Sequence, residues 1–312
     1  MDEASRILYP VRLKRIPPLT DDKVLTAWNG LMISALARGA FVLNEPRYAA
    51  EAAEAARFLL TTLRRDGRLL RTWKAGSGAK YIAYLEDYAF LGQGLLDLYE
   101  ATNDLSWLQE SIALHELALK HYQDNANGGF FRTAHDAEKL LSRNKPDYDG
   151  AEPSGNSVIA RNLLRLYEYT GNTVWHQAAE RTLKWASNRL KRGGRGVPAM
   201  LSALDYYLDS PRQVIIVEAE NDATSLGGTG PLLDVVRKQY LPNRLLARQP
   251  ESAVPALTKM VPAAAQKTAL KGKTTAYVCE RGVCERPTSD PKVLAKQLSR
   301  TQPYVDPAAS AP

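Results

Sequence analysis

The sequence predicts a mainly α protein, in which a partial (α/α) toroid of helical hairpins is followed by a small α/β segment. Two observations support this fold class. A helical hairpin is repeated three times along the chain, and after Pro211 the helical periodicity gives way to short apolar runs between turn residues. Repeats of this length are typical of stacked units, each of which buries its apolar face against its neighbours.

The three copies align without gaps. Two columns, 19 residues apart, show the repeat: Asn29, Tyr88 and Asn156, then Tyr48, Trp107 and Trp175. In each copy, apolar residues recur at helical spacing through a first helix, a short polar turn follows, and a second helix is predicted at 48–63, 107–122 and 175–190. A shorter helix at 199–208 resembles the first half of a fourth hairpin.

This pattern divides the chain into four segments. We expect an entry segment at 1–22, the toroid portion at 23–210, the α/β segment at 211–300 and a disordered tail at 301–312. Within the α/β segment, strands are predicted at 213–217, 244–248 and 276–279, and helices at 232–239 and 291–299.

The composition argues against several classes of protein. The chain has 312 residues, of which 45% are hydrophobic and 24% charged, as in an ordinary globular protein. Its net charge of +7 comes without basic stretches interleaved with aromatic residues, so we expect no nucleic-acid partner. No apolar run reaches the roughly 18 residues of a membrane span, and no signal-like apolar run begins the chain. We therefore expect a cytoplasmic protein without membrane contact.

The polar residues at the head of each repeat are the candidate site. Because the first helix of each pair is the more apolar, we expect it to be the inner one, so that the heads collect at one end of the arc. Helix N-termini there favour carboxylates and hydrogen-bond acceptors. Carboxylates interleaved with Trp and Tyr are typical of sugar sites, where rings stack on sugars and carboxylates bind hydroxyl groups.

The candidate residues form two groups. The predicted catalytic carboxylates are Glu86, Asp87, Asp149 and Glu152. One of the first two would divide acid and base roles with one of the last two. The predicted substrate-binding residues are Trp28, Asn29, Tyr84, Tyr88 and Asn156. Structural alternatives stay open: helix N-capping for the carboxylates and asparagines, a solvated loop for 149–152, and a core position for Trp28.

Metal and redox chemistry have less support in the sequence. The four histidines lack the spacing of metal ligands, so we expect no metal and no cofactor. Cys279 and Cys284 flank a predicted hairpin turn that could place their sulfurs opposite each other. Their C-x4-C spacing lacks the helix N-terminus that activates Cys-x-x-Cys thiols, but a thiol redox accessory role stays open as an alternative.

Three ordered strings resemble one known family. They are DDKVLTAWNGL at 21–31, LEDYA at 85–89 and YDGAEPSGNS at 148–157, and the run around Cys279 and Cys284 is similar to the family's C-terminal end. The resemblance is to the thioredoxin domain-containing DUF255 family (spermatogenesis-associated protein 20-like), over about residues 7–300. It implies an (α/α)6 toroid of the six-hairpin glycosidase and N-acylglucosamine 2-epimerase kind, preceded by a thioredoxin-like domain.

This chain departs from that family plan. It contains no Cys-x-x-Cys and no thioredoxin-like segment, so we expect the C-terminal half of a toroid from a truncated or split gene product. The leading functional hypothesis is a carbohydrate-binding or carbohydrate-processing domain, glycosidase- or sugar epimerase-like if it is an enzyme. The alternatives are an inactive fragment and a non-catalytic interaction or scaffold module. In the last case, exposed apolar flanks would associate with a protein partner or a second copy that completes the toroid.

Overall fold

The computed structural model describes residues 2–220 and 230–299. The helices are α1 (Asp2–Leu13), α2 (Thr26–Leu43), α3 (Pro46–Thr62), α4 (Leu85–Thr102), α5 (Leu105–Tyr122), α6 (Gly155–Thr170), α7 (Thr173–Gly193), α8 (Pro198–Leu208), α9 (Pro231–Lys238), α10 (Val254–Met260) and α11 (Pro291–Leu298). The strands are β1 (Val24–Leu25), β2 (Arg64–Arg65), β3 (Arg68–Lys74), β4 (Gly78–Ile82), β5 (Arg212–Glu218), β6 (Arg244–Pro250), β7 (Thr275–Glu280) and β8 (Val283–Cys284). None of these helices is both long and apolar enough to cross a membrane.

Helices α2 to α8 form the predicted arc of three and a half hairpins. The inner helices α2, α4, α6 and α8 contact one another in that order, and α3, α5 and α7 pack beside their own inner partners. Helix α4 is buried along most of its length because neighbours cover it on several sides. The predicted fold class is therefore confirmed.

The three hairpins share one two-residue connection. The first connecting residue ends the inner helix in the left-handed conformation, with φ of 55°, 66° and 67° at Asn44, Asn103 and Gly171. The next residue caps the outer helix by accepting a hydrogen bond from the main-chain N–H two positions later: Glu45, Asp104 and Asn172. Asn and Gly tolerate positive φ, and short acceptor side chains favour N-caps, so each turn is specified locally.

Two glycines allow α2 and α4 to approach closely. A Cβ atom on Gly30 would lie 2.5 Å from the main-chain nitrogen of Leu91. A Cβ atom on Gly94 would lie 2.8 Å from the carbonyl oxygen of Gly30. Since real Cβ atoms do not approach main-chain atoms so closely, only glycine fits at these positions.

The α/β segment contains a four-stranded sheet of order β6-β5-β7-β8. Strand β5 is parallel to β6 and antiparallel to β7, and helix α9 lies in the crossover that the parallel pair requires. Val214 and Ile216 on one face pack with apolar residues of α9 and α11. Ile215 and Val217 on the other face join the core of the arc. The sheet is thus continuous with the helical body.

Two features differ from the sequence-based expectations. Residues 2–13 of the entry segment form helix α1, in which no residue is buried. Strands β1 to β4 form a small antiparallel sheet around residues 69–72, inside the portion expected to consist of helical hairpins. The matching run at 130–133 makes an isolated bridge between Phe130 and Gln123 instead of a strand. The predicted tail at 301–312 lies outside the described residues.

Candidate functional site

The polar heads of the three repeats meet at one end of the arc. The main-chain N–H of Ala27 donates to Asp87 Oδ1 at 2.9 Å, which joins the first repeat to the second. Trp28 Nε1–H donates to Glu152 Oε2 at 3.0 Å, which joins the first repeat to the third. We call this end the polar mouth and define it by Trp28, Tyr84, Glu86, Asp87 and Glu152.

Glu86 lies in a cluster with two arginines and an aromatic ring. Its Oε1 accepts hydrogen bonds from Arg132 at 2.7 and 3.0 Å and lies 3.5 Å from Arg71 Nη1. The guanidinium groups of Arg71 and Arg132 lie 4.3 and 5.1 Å from the centre of the Tyr84 ring. Glu86 and Tyr84 are therefore held together by two shared cations.

Asp87 is almost fully buried, with 1% of its surface exposed. Its Oδ2 accepts a hydrogen bond from the main-chain N–H of Tyr84 at 2.7 Å, which forms a capping box at the start of α4. Burial raises the pKa of Asp87 to about 7, against the opposing effects of its main-chain donors and of Arg71. A carboxyl group that titrates near neutral pH is suited to proton transfer. Both oxygens of Asp87, however, accept hydrogen bonds from main-chain N–H groups at helix starts, as a capping residue does.

Asp149 and Glu152 occupy different environments. Asp149 accepts main-chain hydrogen bonds from Ser154 at 2.7 Å and from Ala199 at 2.9 Å, so it binds the starts of both α6 and α8. Glu152 is exposed, and its carboxylate accepts the bond from Trp28. Of these two candidate carboxylates, Glu152 is the one accessible to a ligand.

Asn156, Tyr88 and Asn29 bind main-chain groups of neighbouring segments. Asn156 bonds both the N–H and the carbonyl oxygen of Phe130, at 2.7 and 2.9 Å. Tyr88 Oη accepts from the N–H of Leu69 at 3.0 Å, and Asn29 donates to the carbonyl of Leu25 at 2.9 Å.

The capping alternative for the two asparagines was therefore wrong. Ser154 caps α6 through its own side chain, and Leu25, at the N-cap of α2, makes no side-chain capping bond. Asn156 lies inside the first turn of α6 and faces the segment at Phe130 instead.

Sequence reasoning missed Arg71 and Arg132 beside Glu86, and it gave no sign of the unusual backbone conformation of Tyr81. The two arginines occupy the same position in the runs LLRT at 69–72 and FFRT at 130–133, and that recurrence was the available signal. Tyr81 lies just upstream of α4, is 71% exposed and has a φ of 63°. Positive φ is uncommon for a bulky residue, and no sequence pattern indicates it here.

One group of residues could hold a metal ion. The potential ligand atoms of His121, His135 and Asp136 all lie within 4.8 Å of one another. Arg68 Nη1 donates to Asp136 at 2.8 Å and lies 3.3 Å from His121 Nδ1. The positive charge of this guanidinium would repel a divalent cation bound by the three residues. The expectation of no metal stays a prediction.

Cys279 and Cys284 form a disulfide across the β7–β8 hairpin, where they are register partners. The hairpin thus brings the two sulfurs together as expected. Cys279 is buried and Cys284 is exposed. The proposed redox role stays a prediction.

Comparison with solved structures finds partial similarity to two enzymes. One is a GH76 α-mannanase from Bacteroides thetaiotaomicron, with a TM-score of 0.48 and 16% identity, covering 62% of this chain and 54% of that chain. Another is cellobiose 2-epimerase from Bacillus thermoamylovorans, with a TM-score of 0.44 and 14% identity, covering 53% of this chain and 44% of that chain.

No known protein-family profile matches the chain. Spermatogenesis-associated protein 20 from Homo sapiens is 36% identical over 301 residues, which cover 93% of this chain and 38% of that protein. The protein of the same name from Mus musculus is 35% identical, with the same two coverages. The chain spans 38% of the length of both relatives. Nearly all of this chain is therefore similar in sequence to a part of spermatogenesis-associated protein 20.

Proposed function

We propose that the polar mouth binds a carbohydrate. The observation that supports this most directly is the position of Trp28, whose side chain is 61% exposed at the start of an inner helix. Its Nε1–H is bonded to Glu152 at 3.0 Å, so the ring is oriented although it faces solvent. A fixed, exposed indole offers a flat surface on which the apolar face of a sugar ring stacks.

Polar groups around Trp28 suit the hydroxyl groups of a sugar. Glu152 adds an exposed carboxylate beside the ring. Glu86 and Arg132 form a charged pair at the start of α4. Tyr84, which belongs to the polar mouth, adds a second ring. This combination of rings, carboxylates and a guanidinium is a chemical match for a neutral polar ligand.

If the bound sugar is also processed, glycosidase- or epimerase-like chemistry would need a pair of carboxyl groups. Asp87 and Asp149 use both of their oxygens to bind main-chain N–H groups. Glu152 and Glu86 make side-chain contacts instead, so we propose these two as the pair that would divide acid and base roles. Binding is the part of the proposal that the geometry supports more directly.

The test is a glycan array, followed by calorimetric titration of the glycans that bind. We expect Trp28→Ala to abolish binding and Glu152→Gln to weaken it. Met32→Ala is the matched control, because Met32 is 59% exposed one turn further along the same helix. The proposal is wrong if no glycan binds, or if the Trp28 and Met32 variants bind equally well.

A second candidate function is an interaction module completed by another polypeptide. Exposed apolar side chains lie along two helices: Ile7, Leu8 and Val11 on α1, and Met32 and Val42 on α2. Clusters of this kind are typical of association surfaces. Light scattering tests self-association: we expect a dimer that Met32→Asp disrupts, whereas a monomer at every concentration would contradict it.

A further inference from the structure

A pocket lies away from the polar mouth, between the inner helices and the α/β segment. Its volume is about 610 Å³, within the range of small-molecule sites. Helices α2, α4, α6 and α8 each contribute lining residues, and the chain from α9 to the start of β6 covers the other side. None of the residues that define the polar mouth lines this pocket.

Three arginines of the pocket pair with two carboxylates. Arg165 lies 2.8 Å from Asp97 and 3.2 Å from Glu100. Arg38 lies 3.2 Å from Asp97, and Arg244 lies 2.7 Å from Glu100. These ion pairs occupy both carboxylates.

Asp205 and Arg237 also line the pocket, so with Arg161 the lining holds five arginines and three carboxylates. Asp205 accepts a hydrogen bond from Asn243 at 2.7 Å, and Arg237 lies 3.1 Å from Asp234. Arg161 also lines the pocket, and it interacts electrostatically with Arg165, Arg38 and Asp97 of these ion pairs.

Arg161 has no carboxylate within ion-pair distance in the described part of the chain. Its Nη2 donates to the carbonyl oxygen of Pro242 at 3.0 Å, and no described residue accepts a hydrogen bond from its buried Nε. Burial lowers the pKa of Arg161, and the charges of Arg165 and Arg38 lower it further. The protein thus holds a partly desolvated cation beside two others, an arrangement that costs stability unless something offsets it.

Tyr206 is a second unsatisfied group in the same pocket. Its side chain is 3% exposed, and its hydroxyl has no hydrogen-bond partner among residues 2–220 and 230–299. Buried polar groups are nearly always hydrogen-bonded, so two unpaired donors beneath the wall of one pocket are unusual.

We propose that this pocket binds a small molecule through a phosphate or carboxylate group, which pairs with the guanidinium of Arg161. Both anions present several acceptor oxygens and pair well with a guanidinium. The bound anion would offset the excess of positive charge that the arginines bring to the pocket. This inference does not depend on carbohydrate binding at the polar mouth, because the two sites share none of the residues named for them.

The experiment is calorimetric titration of the full chain with inorganic phosphate, glucose 6-phosphate, glucuronate and glucose. Performing it on the Trp28→Ala variant separates this pocket from the polar mouth. We expect at least one of the three anions to bind and glucose not to bind. Comparing glucose 6-phosphate with glucuronate shows which anionic group is preferred. Absence of binding by all three anions at millimolar concentration, or equal binding of glucose, overturns the proposal.

Arg161→Gln tests the role of the unpaired cation. We expect affinity for the anion to fall about tenfold or more, because a charge-assisted hydrogen bond is lost. Thermal stability should stay the same or rise, because one of three neighbouring cations is removed. Arg192→Gln, at the exposed end of α7, is the matched control and should leave affinity unchanged. Equal anion affinity in the two variants contradicts the proposal.

Discussion

The Asp87 carboxylate accepts a hydrogen bond from the main-chain N–H of Ala27 at 2.9 Å, across 60 residues of sequence. Its other oxygen binds the N–H of Tyr84 at 2.7 Å. One buried side chain therefore caps α4 and also fixes the start of α2 against it. The relative position of Trp28 and Glu86 follows from this contact, since each lies next to one of the bonded groups in the sequence.

The first prediction concerns pH. The native Asp87 carboxyl keeps its proton up to about pH 7, whereas an unfolded one loses it near its usual pKa of 3.8. Between these values the native state binds more protons, so the stability contributed by Asp87 falls as pH rises. Asp87→Asn should remove this dependence. Urea unfolding from pH 4 to 7 should show that the wild type loses stability relative to the variant, by up to about 1.4 kcal/mol per pH unit. A difference in unfolding free energy between the two proteins that stays constant over this range would contradict the prediction.

His115 should have the opposite effect. Burial lowers the pKa of its imidazole to about 4, from a usual value of 6.5. Between these values the unfolded state binds more protons, so the stability contributed by His115 rises with pH. Relative to His115→Gln, wild type should therefore gain stability between pH 4 and 6.5 in the same urea experiment. Loss of stability over this interval would show that the native imidazole is protonated.

A pair of glycine substitutions tests the close contact between α2 and α4. Gly30→Ala should destabilise the protein by about 1–3 kcal/mol, because the new methyl group collides with the main chain at Leu91. Gly39→Ala, in the same helix, places its methyl group at an ordinary 3.5 Å from Tyr48. It should stabilise the protein by up to about 1 kcal/mol through helix propensity. Denaturant unfolding of both variants measures the contrast, and equal effects would be inconsistent with the packing described.

The ion pair between Asp97 and Arg165 provides a fourth prediction. The two side chains are only 2% and 7% exposed and lie 2.8 Å apart. Asp97→Ala should cost about 3–5 kcal/mol, because it leaves a buried guanidinium short of a partner. The control is Glu51→Ala, which breaks the exposed pair with Arg47 and should leave stability unchanged. Chemical denaturation measures both, and a neutral Asp97→Ala would mean that Arg165 is compensated elsewhere.

Much of the arc was predictable because its signals are local. The turns at Asn44, Asn103 and Gly171 combine a left-handed residue with a cap, and both preferences act over a few positions. Helical periodicity then indicated the inner and outer helices between those turns. Helix α1 was not predicted, because the entry segment is polar and contains prolines at positions 10, 17 and 18.

The sequence by itself determined the hairpins, their order and the end of the arc at which the polar residues collect. Only the tertiary structure decided which of those residues are bonded and which are accessible: Asp149 binds two helix starts, whereas Glu152 faces solvent beside Trp28. It also placed Arg161 and Tyr206 in one pocket, a juxtaposition that their sequence spacing does not indicate. The reason is physical: turns and helices depend on neighbouring residues, whereas burial and pairing depend on how distant hairpins stack.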